Sequence, residues 1–155
     1  MAQNRPLESC YEALEKPWPE KSGLPLLVVA AAVLVDADGR LMIAQRPEGK
    51  SMAGLWEFPG GKGEEGESPE YALMRELKEE LSIEARPCCF SPLGFTSHAY
   101  DKFHLMMPLY VCRVWAGTPK GRENQALKWI KPRDLYDFSM PPADIPLISQ
   151  ILDNL

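Results

Sequence analysis

The chain has 155 residues, 45% of them hydrophobic, with 17 lysines and arginines, 22 aspartates and glutamates and a formal net charge of −5. This length and composition predict roughly one globular domain. A negatively charged chain is poorly suited to hold a nucleic-acid polymer, because that binding depends on many lysine and arginine contacts to phosphates. Any nucleotide partner should therefore be a small molecule. The longest apolar run, residues 24–35, contains Pro25 and is much shorter than the ~20 residues of a membrane span, so no membrane partner is expected.

The first 23 residues are polar and broken by prolines, without the apolar core of a signal peptide. They predict a flexible extension, with Trp18 between two prolines as its candidate anchor. The chain contains four cysteines, Cys10, Cys88, Cys89 and Cys112. Their spacing matches no zinc pattern, and two of them are adjacent, which suits neither a CxxC pair nor an ordinary disulfide. We interpret them as reduced thiols of a cytoplasmic protein.

The next segments alternate between strands and turns. Residues 26–35, rich in valine and alanine, predict a strand, and residues 40–46 predict a second one, joined to the first by the tight turn at residues 36–39. Residues 55–58 predict a short aromatic strand. The proline and glycines of residues 59–63 are expected to break all regular structure, which makes this loop the first candidate for a functional segment.

A helix is predicted to begin after Ser68, because serine is a common N-cap and Pro69 suits the first helical position. We expect it to extend to about Leu81, with leucines at four-residue intervals on its buried face. Beyond it the sequence predicts three strands (89–96, 103–115 and 126–130), a short helix from Pro132 and a terminal helix over residues 144–152. Strands flanked by two or three helices predict an α+β or α/β sandwich.

Three glutamates, Glu76, Glu79 and Glu80, lie within about 100° of arc on the first helix. A hard divalent ion such as Mg²⁺ prefers oxygen ligands and would relieve their mutual repulsion. The adjacent glycines 60 and 61 would let the backbone approach such an ion, because no Cβ blocks the way. Alternatively, the glutamates belong to a solvated acidic face, which is the commoner outcome for runs of like charge. Spacing alone supports both interpretations equally.

A longer pattern distinguishes them. The segment from residue 61 to residue 83 resembles the Nudix box, G-x5-E-x7-R-E-U-x-E-E-x-G-U, in which U is apolar. Gly61 and Glu67 are separated by five residues, and seven residues separate Glu67 from the run at residues 75–83. Every charged position matches, and the one departure is Ser82 in place of a glycine at the end of the helix, which affects the local turn rather than the metal ligands. Segments 45–47, 55–62 and 142–146 are also similar to the MutT-like branch, which cleaves oxidised nucleoside triphosphates, and residues 143–146 to a subgroup of cytidine triphosphate pyrophosphohydrolases.

The resemblance implies a Nudix fold over residues 24–155, an α/β/α sandwich of α+β class with a mixed sheet between helices. It implies Mg²⁺-dependent hydrolysis, with Mn²⁺ as a substitute, of oxidised nucleoside triphosphates to monophosphate and pyrophosphate by a monomer that sanitises the nucleotide pool. The favoured substrate is 8-oxo-dGTP. The alternatives are a CTP- or dCTP-type pyrophosphohydrolase and a non-catalytic nucleotide-sensing module, and the retained box glutamates favour the enzyme.

The resemblance also assigns roles to individual residues. The implied metal ligands are the Gly60 carbonyl, Glu76, Glu79, Glu80 and Glu123. The implied catalytic residues are Glu79, Glu80 and Glu123. Gly61, Glu67 and Arg75 would be structural, with Arg75 and Glu67 fixing the loop on the helix. The implied substrate-binding residues are Arg46, Glu57, Phe58, Pro59, Gly60, Lys62 and Asp144.

Several of these residues have simpler interpretations. Glu123 also fits an exposed loop acid, and Arg46 a surface residue at a strand end, although its place beside the glycine loop favours phosphate contact. Asp144 equally fits a cap of the last helix. An ionised aspartate only accepts hydrogen bonds. It could accept two from the N1–H and N2–H₂ of guanine or one from the amino group of cytosine, but it would face O6 or N3 unfavourably unless protonated. His98 and His104 have no metal-like spacing and are expected to be exposed or packed.

Overall fold

The computed structural model describes Leu14, Glu15, Pro17 and residues 22–155. The predicted extension, including Trp18 and Cys10, therefore falls largely outside the described residues. From residue 22 onwards the strands are β1 (Leu26–Leu34), β2 (Leu41–Gln45), β3 (Trp56–Glu57), β4 (Gly60–Lys62), β5 (Phe90–Ala99), β6 (His104–Cys112) and β7 (Leu127–Ile130). The helices are α1 (Pro69–Leu81) and α2 (Ile145–Asn154), with 3₁₀ segments at Pro87–Cys89 and Pro132–Asp137.

The strands form two sheets. The four-stranded sheet has the order β4-β1-β6-β5, in which β1 runs parallel to β6 while the other neighbours are antiparallel. The three-stranded sheet, β3-β2-β7, is entirely antiparallel. The predicted mixed sheet and the α+β class are confirmed.

Strand β1 separates two hydrophobic clusters, because its successive side chains point to opposite faces. Ala30, Ala32 and Leu34 pack in the cluster that contains the buried leucines of α1. Ala31 and Val33 pack in the other cluster, which contains the buried residues of α2. A strand buried on both faces explains the continuous apolar run in the sequence, and the helices on its two sides give the predicted α/β/α layering.

Helix α1 begins and ends as predicted. The Ser68 hydroxyl accepts a hydrogen bond from the Tyr71 backbone N–H at 3.3 Å, and Pro69 occupies the first turn. At the other end Ser82 adopts a left-handed conformation, with φ of 59°, and its N–H donates to the Lys78 carbonyl at 3.1 Å. Glycine adopts this conformation more easily, and serine pays about 1 kcal/mol or more for it. Ser82 therefore preserves the turn of the Nudix box in spite of the substitution.

The prediction that residues 59–63 break all regular structure was wrong. Gly60–Lys62 pairs antiparallel with residues 29–31 of β1. The absence of a side chain at Gly60 allows this close approach, because a Cβ there would lie 2.7 Å from the Ala31 Cα. The turn at residues 36–39 joins β1 to β2, but the two strands belong to different sheets and share only the bridge between Val35 and Leu41.

Two further predictions concerned the cysteines and a membrane-spanning segment. Cys88, Cys89 and Cys112 are free thiols. Within the described residues, no helix combines the length and the apolar character that crossing a membrane requires.

Candidate active site

The glutamates of α1 point to two different environments. Glu76 and Glu80, one turn apart, line a cavity of about 400 Å³. Glu79 does not line it, since its carboxylate lies 3.3 Å from Nη1 of Arg75 and its side chain is 59% exposed. Of the three glutamates predicted to share one face, Glu76 and Glu80 line the cavity and Glu79 does not, while Glu76 contacts both the cavity and Arg75.

Most predicted site residues meet in this cavity. It brings together Arg46, Glu57, Phe58, Pro59, Gly60, Gly61, Lys62, Glu76, Glu80, Glu123 and Asp144. Three predicted residues, Glu67, Arg75 and Glu79, lie outside its lining. Sequence reasoning missed Val29, Ala31, Ala44, Gln45, Pro47, Lys50, Met107 and Gln125, which also line the cavity. No spacing pattern marks these residues, because they come from strands and loops that only the fold brings together.

Arg75 connects the acidic helix to strand β4. Its Nε and Nη2 donate to the Glu67 carboxylate at 2.9 and 2.8 Å, and Nη1 donates to Glu76 at 2.9 Å. Nη2 also donates to the Lys62 carbonyl at 3.0 Å. The planar guanidinium suits such multiple bonds, as a lysine would not. The structure thus brings together the predicted Arg75–Glu67 pair at the junction of loop and helix.

Gly61 provides the space for one of the cavity carboxylates. A Cβ at this position would overlap the carboxylate of Glu76. Burial raises the pKa of Glu76, and the hydrogen bond from Arg75 opposes that shift. Gly61 therefore leaves room for the Glu76 carboxylate in its observed position.

Glu80 is partly buried in the cavity among other carboxylates. Burial, followed by the negative charges of Glu76, Glu57 and Glu123, raises its pKa to about 8, while the backbone N–H of Gly60 opposes the shift. Such a group of oxygen donors with excess negative charge is suited to a hard divalent cation. Among the described residues no three acidic, histidine or cysteine side chains already converge on a metal position. A backbone carbonyl and oxygens from water or phosphate would complete the coordination.

Arg46 and Glu57, which also line the cavity, form an ion pair. Arg46 Nη1 donates to Glu57 at 2.8 Å, and Arg46 Nε donates to the Ser51 carbonyl at 2.7 Å. Burial raises the pKa of Glu57, and Arg46 acts against this shift. Arg46 is therefore not simply a surface residue, because it is partly buried and joins β3 to the loop that follows β2.

Asp144 does not cap the last helix. It occupies the N-cap position of α2, but its side chain makes no capping hydrogen bond and the residue is only 6% exposed. Its side chain instead lines the cavity. Burial and then the charge of Glu57 raise the pKa of Asp144 to about 7, against the opposing effects of the Phe58 backbone N–H and Arg46. Both of its protonation states are therefore accessible near neutral pH.

Glu123 lines the cavity from the loop before β7, and Lys50 reaches it from the loop after β2. The Lys50 Nζ lies 2.6 Å from the Glu123 Oε2. The Glu123 backbone N–H donates to the Gln125 side chain at 2.8 Å, which orders the loop. Glu123 is thus an exposed loop acid, with a side chain that is 46% exposed, and it also lines the cavity.

The two histidines take part in ordinary packing, as predicted. His104 Nε2 lies 2.6 Å from the Ser97 hydroxyl oxygen, and the His98 ring packs edge-on against Tyr100 at a centroid distance of 4.6 Å. Tyr100 also accepts a hydrogen bond from the Ala143 backbone N–H at 3.3 Å. That contact fixes the turn immediately before Asp144.

The fold and the box-bearing helix together define a Nudix-type hydrolase domain. A family model described as the NUDIX domain matches residues 30–150. The chain therefore belongs to the Nudix family, and it is a hydrolase similar to the MutT-like members.

Individual relatives support this assignment. The chain is 38% identical over 128 residues to the CTP pyrophosphohydrolase of Escherichia coli, covering 81% of this chain and 92% of that protein. It is 35% identical over 136 residues to the 8-oxo-dGTP diphosphatase of Haemophilus influenzae, covering 83% and 93% of the two chains. The solution structure of the E. coli ORF135 protein matches with a TM-score of 0.75 and 34% identity, covering 87% of this chain and 94% of that chain.

Proposed function

We propose that the protein hydrolyses nucleoside triphosphates to a monophosphate and pyrophosphate with Mg²⁺, or Mn²⁺ in its place. The observation that carries this proposal is that one cavity is lined both by the box glutamates Glu76 and Glu80 and by Asp144, a residue that is only 6% exposed. Cationic side chains, including Lys62, line the same cavity. A triphosphate is polyanionic and needs such cations, together with a metal, before its phosphorus can be attacked.

Residues of this cavity are suited to hold the divalent ion. The Gly60 carbonyl, Glu76, Glu80 and Glu123 would supply its protein ligands. When bound, a divalent cation neutralises phosphate oxygens and lowers the pKa of a coordinated water. Glu79 could join these ligands only if its side chain left Arg75.

A glutamate of the cavity would accept the proton of the attacking water. The water oxygen forms a new bond to phosphorus, the bridging P–O bond breaks, and its electrons leave with pyrophosphate. Of the predicted catalytic residues, Glu80 and Glu123 line the cavity, whereas Glu79 faces Arg75. We therefore place the proton acceptor among the cavity-lining acids.

The nucleobase of the substrate would lie against Asp144. When protonated, Asp144 both donates and accepts hydrogen bonds, as an amide does, and can match the N7–H and O6 of 8-oxoguanine. When ionised it only accepts, which suits the amino group of cytosine. Because the pKa of Asp144 is raised to about 7, both forms are available and this residue alone does not choose between the bases. The resemblance of the segment that ends at Lys62 to the MutT-like branch places 8-oxo-dGTP first and cytidine triphosphates second. The similarity to a CTP pyrophosphohydrolase favours this second candidate.

A substrate panel tests the proposal. Pyrophosphate release with Mg²⁺ is measured as kcat/KM for 8-oxo-dGTP, dGTP, CTP, dCTP and 5-hydroxy-CTP, for the unmodified protein and for Asp144→Asn. The amide is a permanent donor and acceptor, so the ranking should move several-fold towards 8-oxo-dGTP in the variant. An unchanged ranking would remove Asp144 from base selection. No pyrophosphate release from any of these substrates would contradict the proposed function.

A further inference from the structure

We propose that Lys50 is a phosphate-binding residue that exchanges partners: it pairs with Glu123 in the free protein and with the triphosphate once Glu123 turns to the divalent ion. The inference rests on the proposed function and adds to it a residue that the Nudix box does not contain. Lys50 would couple the binding of the metal to the binding of the nucleotide.

The first observation is the ion pair itself. Lys50 and Glu123 are 73 positions apart in the chain, and the Lys50 Nζ lies 2.6 Å from the Glu123 Oε2. Their side chains are 50% and 46% exposed, and both residues line the cavity that contains Gly60 and Glu80. Ion pairs this exposed change equilibria by a factor of about five at most. The pair is thus strong enough to orient both groups and weak enough to exchange.

The second observation is that the backbone around Lys50 is held against β2. The Gly54 N–H donates to the Arg46 carbonyl at 2.9 Å, and the Gln45 side chain donates to the Gly54 carbonyl at 3.0 Å. Arg46 Nε holds the Ser51 carbonyl at 2.7 Å. Because the loop is bonded at both ends, the Lys50 side chain can change partner within the cavity without a rearrangement of the fold.

The third observation is that Arg46 and Lys50, two cationic side chains of the cavity, have different partners. Arg46 is already bonded to Glu57 and to the Ser51 carbonyl. Lys50 is instead paired with Glu123, which would become a ligand of the divalent ion. Once Glu123 turns to the ion, the Lys50 ammonium keeps three donors and no acceptor partner. The triphosphate is the incoming group whose oxygens can replace the lost carboxylate.

The exchange predicts opposite changes in two affinities for Lys50→Met. Without nucleotide, Mn²⁺ should bind roughly two- to fivefold more tightly, because Glu123 no longer has a competing partner. With Mn²⁺ saturating, a non-hydrolysable triphosphate analogue should bind about tenfold more weakly, because a charged hydrogen bond to phosphate is lost. Free Mn²⁺ is measured by electron paramagnetic resonance and analogue binding by calorimetry. Lys50→Arg, which keeps the charge, should stay much closer to the unmodified protein in both assays.

Two controls isolate the pair. Lys131→Met removes one positive charge from an exposed position outside the cavity lining, and it should change neither affinity. In the Glu123→Gln background, Lys50→Met should no longer tighten Mn²⁺ binding, because the competing pair is already absent.

The outcomes separate this inference from the proposed function. If Lys50→Met shifts both affinities in the same direction, or leaves analogue binding unchanged, the exchange is wrong even when the unmodified protein releases pyrophosphate. If Mn²⁺ still binds more tightly to the lysine variant in the Glu123→Gln background, the coupling through Glu123 is wrong. If the unmodified protein releases no pyrophosphate, the proposed function itself is contradicted.

Discussion

The carboxylates around helix α1 occupy two contrasting regions, the arginine side and the cavity side. On the arginine side, hydrogen bonds from Arg75 lower the pKa of Glu67. On the cavity side, burial and three neighbouring negative charges raise the pKa of Glu80 to about 8. Glu67 and Glu80 belong to the same short motif, yet their surroundings shift their pKa values in opposite directions.

The difference shows how one motif serves both structure and chemistry. Acids with a cation fixed beside them hold the helix against β4 and should contribute to stability. Buried acids that lack enough positive charge oppose folding, and such perturbed groups gather where a ligand completes the charge balance. Substitution on the two sides should therefore separate stability from turnover.

The largest effect is expected from Glu80→Gln. The amide keeps the shape but removes the charge needed for the ion, so kcat/KM should fall by two orders of magnitude or more. Because the pKa of Glu80 is raised from 4.5 to about 8 on folding, its ionisation lowers stability progressively as the pH rises through that interval. The variant should therefore unfold at the same or a higher urea concentration at pH 8.

Glu84→Gln provides the matched control for that substitution. Glu84 follows the same helix, pairs with Lys78 at 3.0 Å and has a side chain that is 60% exposed. It should retain activity within about twofold, because exposed pairs contribute little. Near-normal turnover of Glu80→Gln at saturating Mg²⁺ would show that the cavity side is not the active site.

Arg75→Met should mainly reduce stability. It leaves the carboxylates of Glu67 and Glu76 without their cation, so the urea midpoint of unfolding should fall clearly. Because Glu76 also lines the cavity, turnover should fall as well, but by less than in Glu80→Gln. Urea denaturation with an unchanged m-value measures this loss. Arg40→Met removes a pair with Asp36 in the turn after β1, in which the arginine side chain is 46% and the aspartate side chain 16% exposed. It should lower the urea midpoint less, because Arg40 is more exposed than Arg75. Equal midpoints for the two variants would contradict the assignment of the arginine side to stability.

The smallest effect concerns Asp144 and pH. Glu57, Arg46 and Tyr100 are the charged or titratable groups coupled to it. As the pH rises through about 7, Asp144 loses its donor, so the ratio of kcat/KM for 8-oxo-dGTP to that for CTP should fall several-fold between pH 6 and 8. The ratio cancels effects on the metal ligands, which both substrates share. In Asp144→Asn this ratio should no longer change with pH. If the ratio changes with pH in the variant as it does in the unmodified protein, another group causes the dependence.

The sequence by itself determined the parts of the protein that depend on nearby residues. Ser68 and Pro69 predicted the start of α1, and the box spacing placed Arg75, Glu76 and Glu80 on one helix next to the glycine segment. The continuous apolar run, rich in valine and alanine, predicted β1. These features follow from helix periodicity, capping and backbone sterics, which act over a few residues.

Only the tertiary structure decided how those parts meet. Residues 60–62 became a strand because β1 lies alongside them, and Gly60 allows the contact. Asp144 became a buried cavity residue instead of a helix cap, and Lys50 met Glu123 from a loop 73 positions away. Burial and charge pairing depend on which distant segments pack together, and no local spacing encodes that choice, because residues far apart in the chain become neighbours only when the two sheets and the helices assemble.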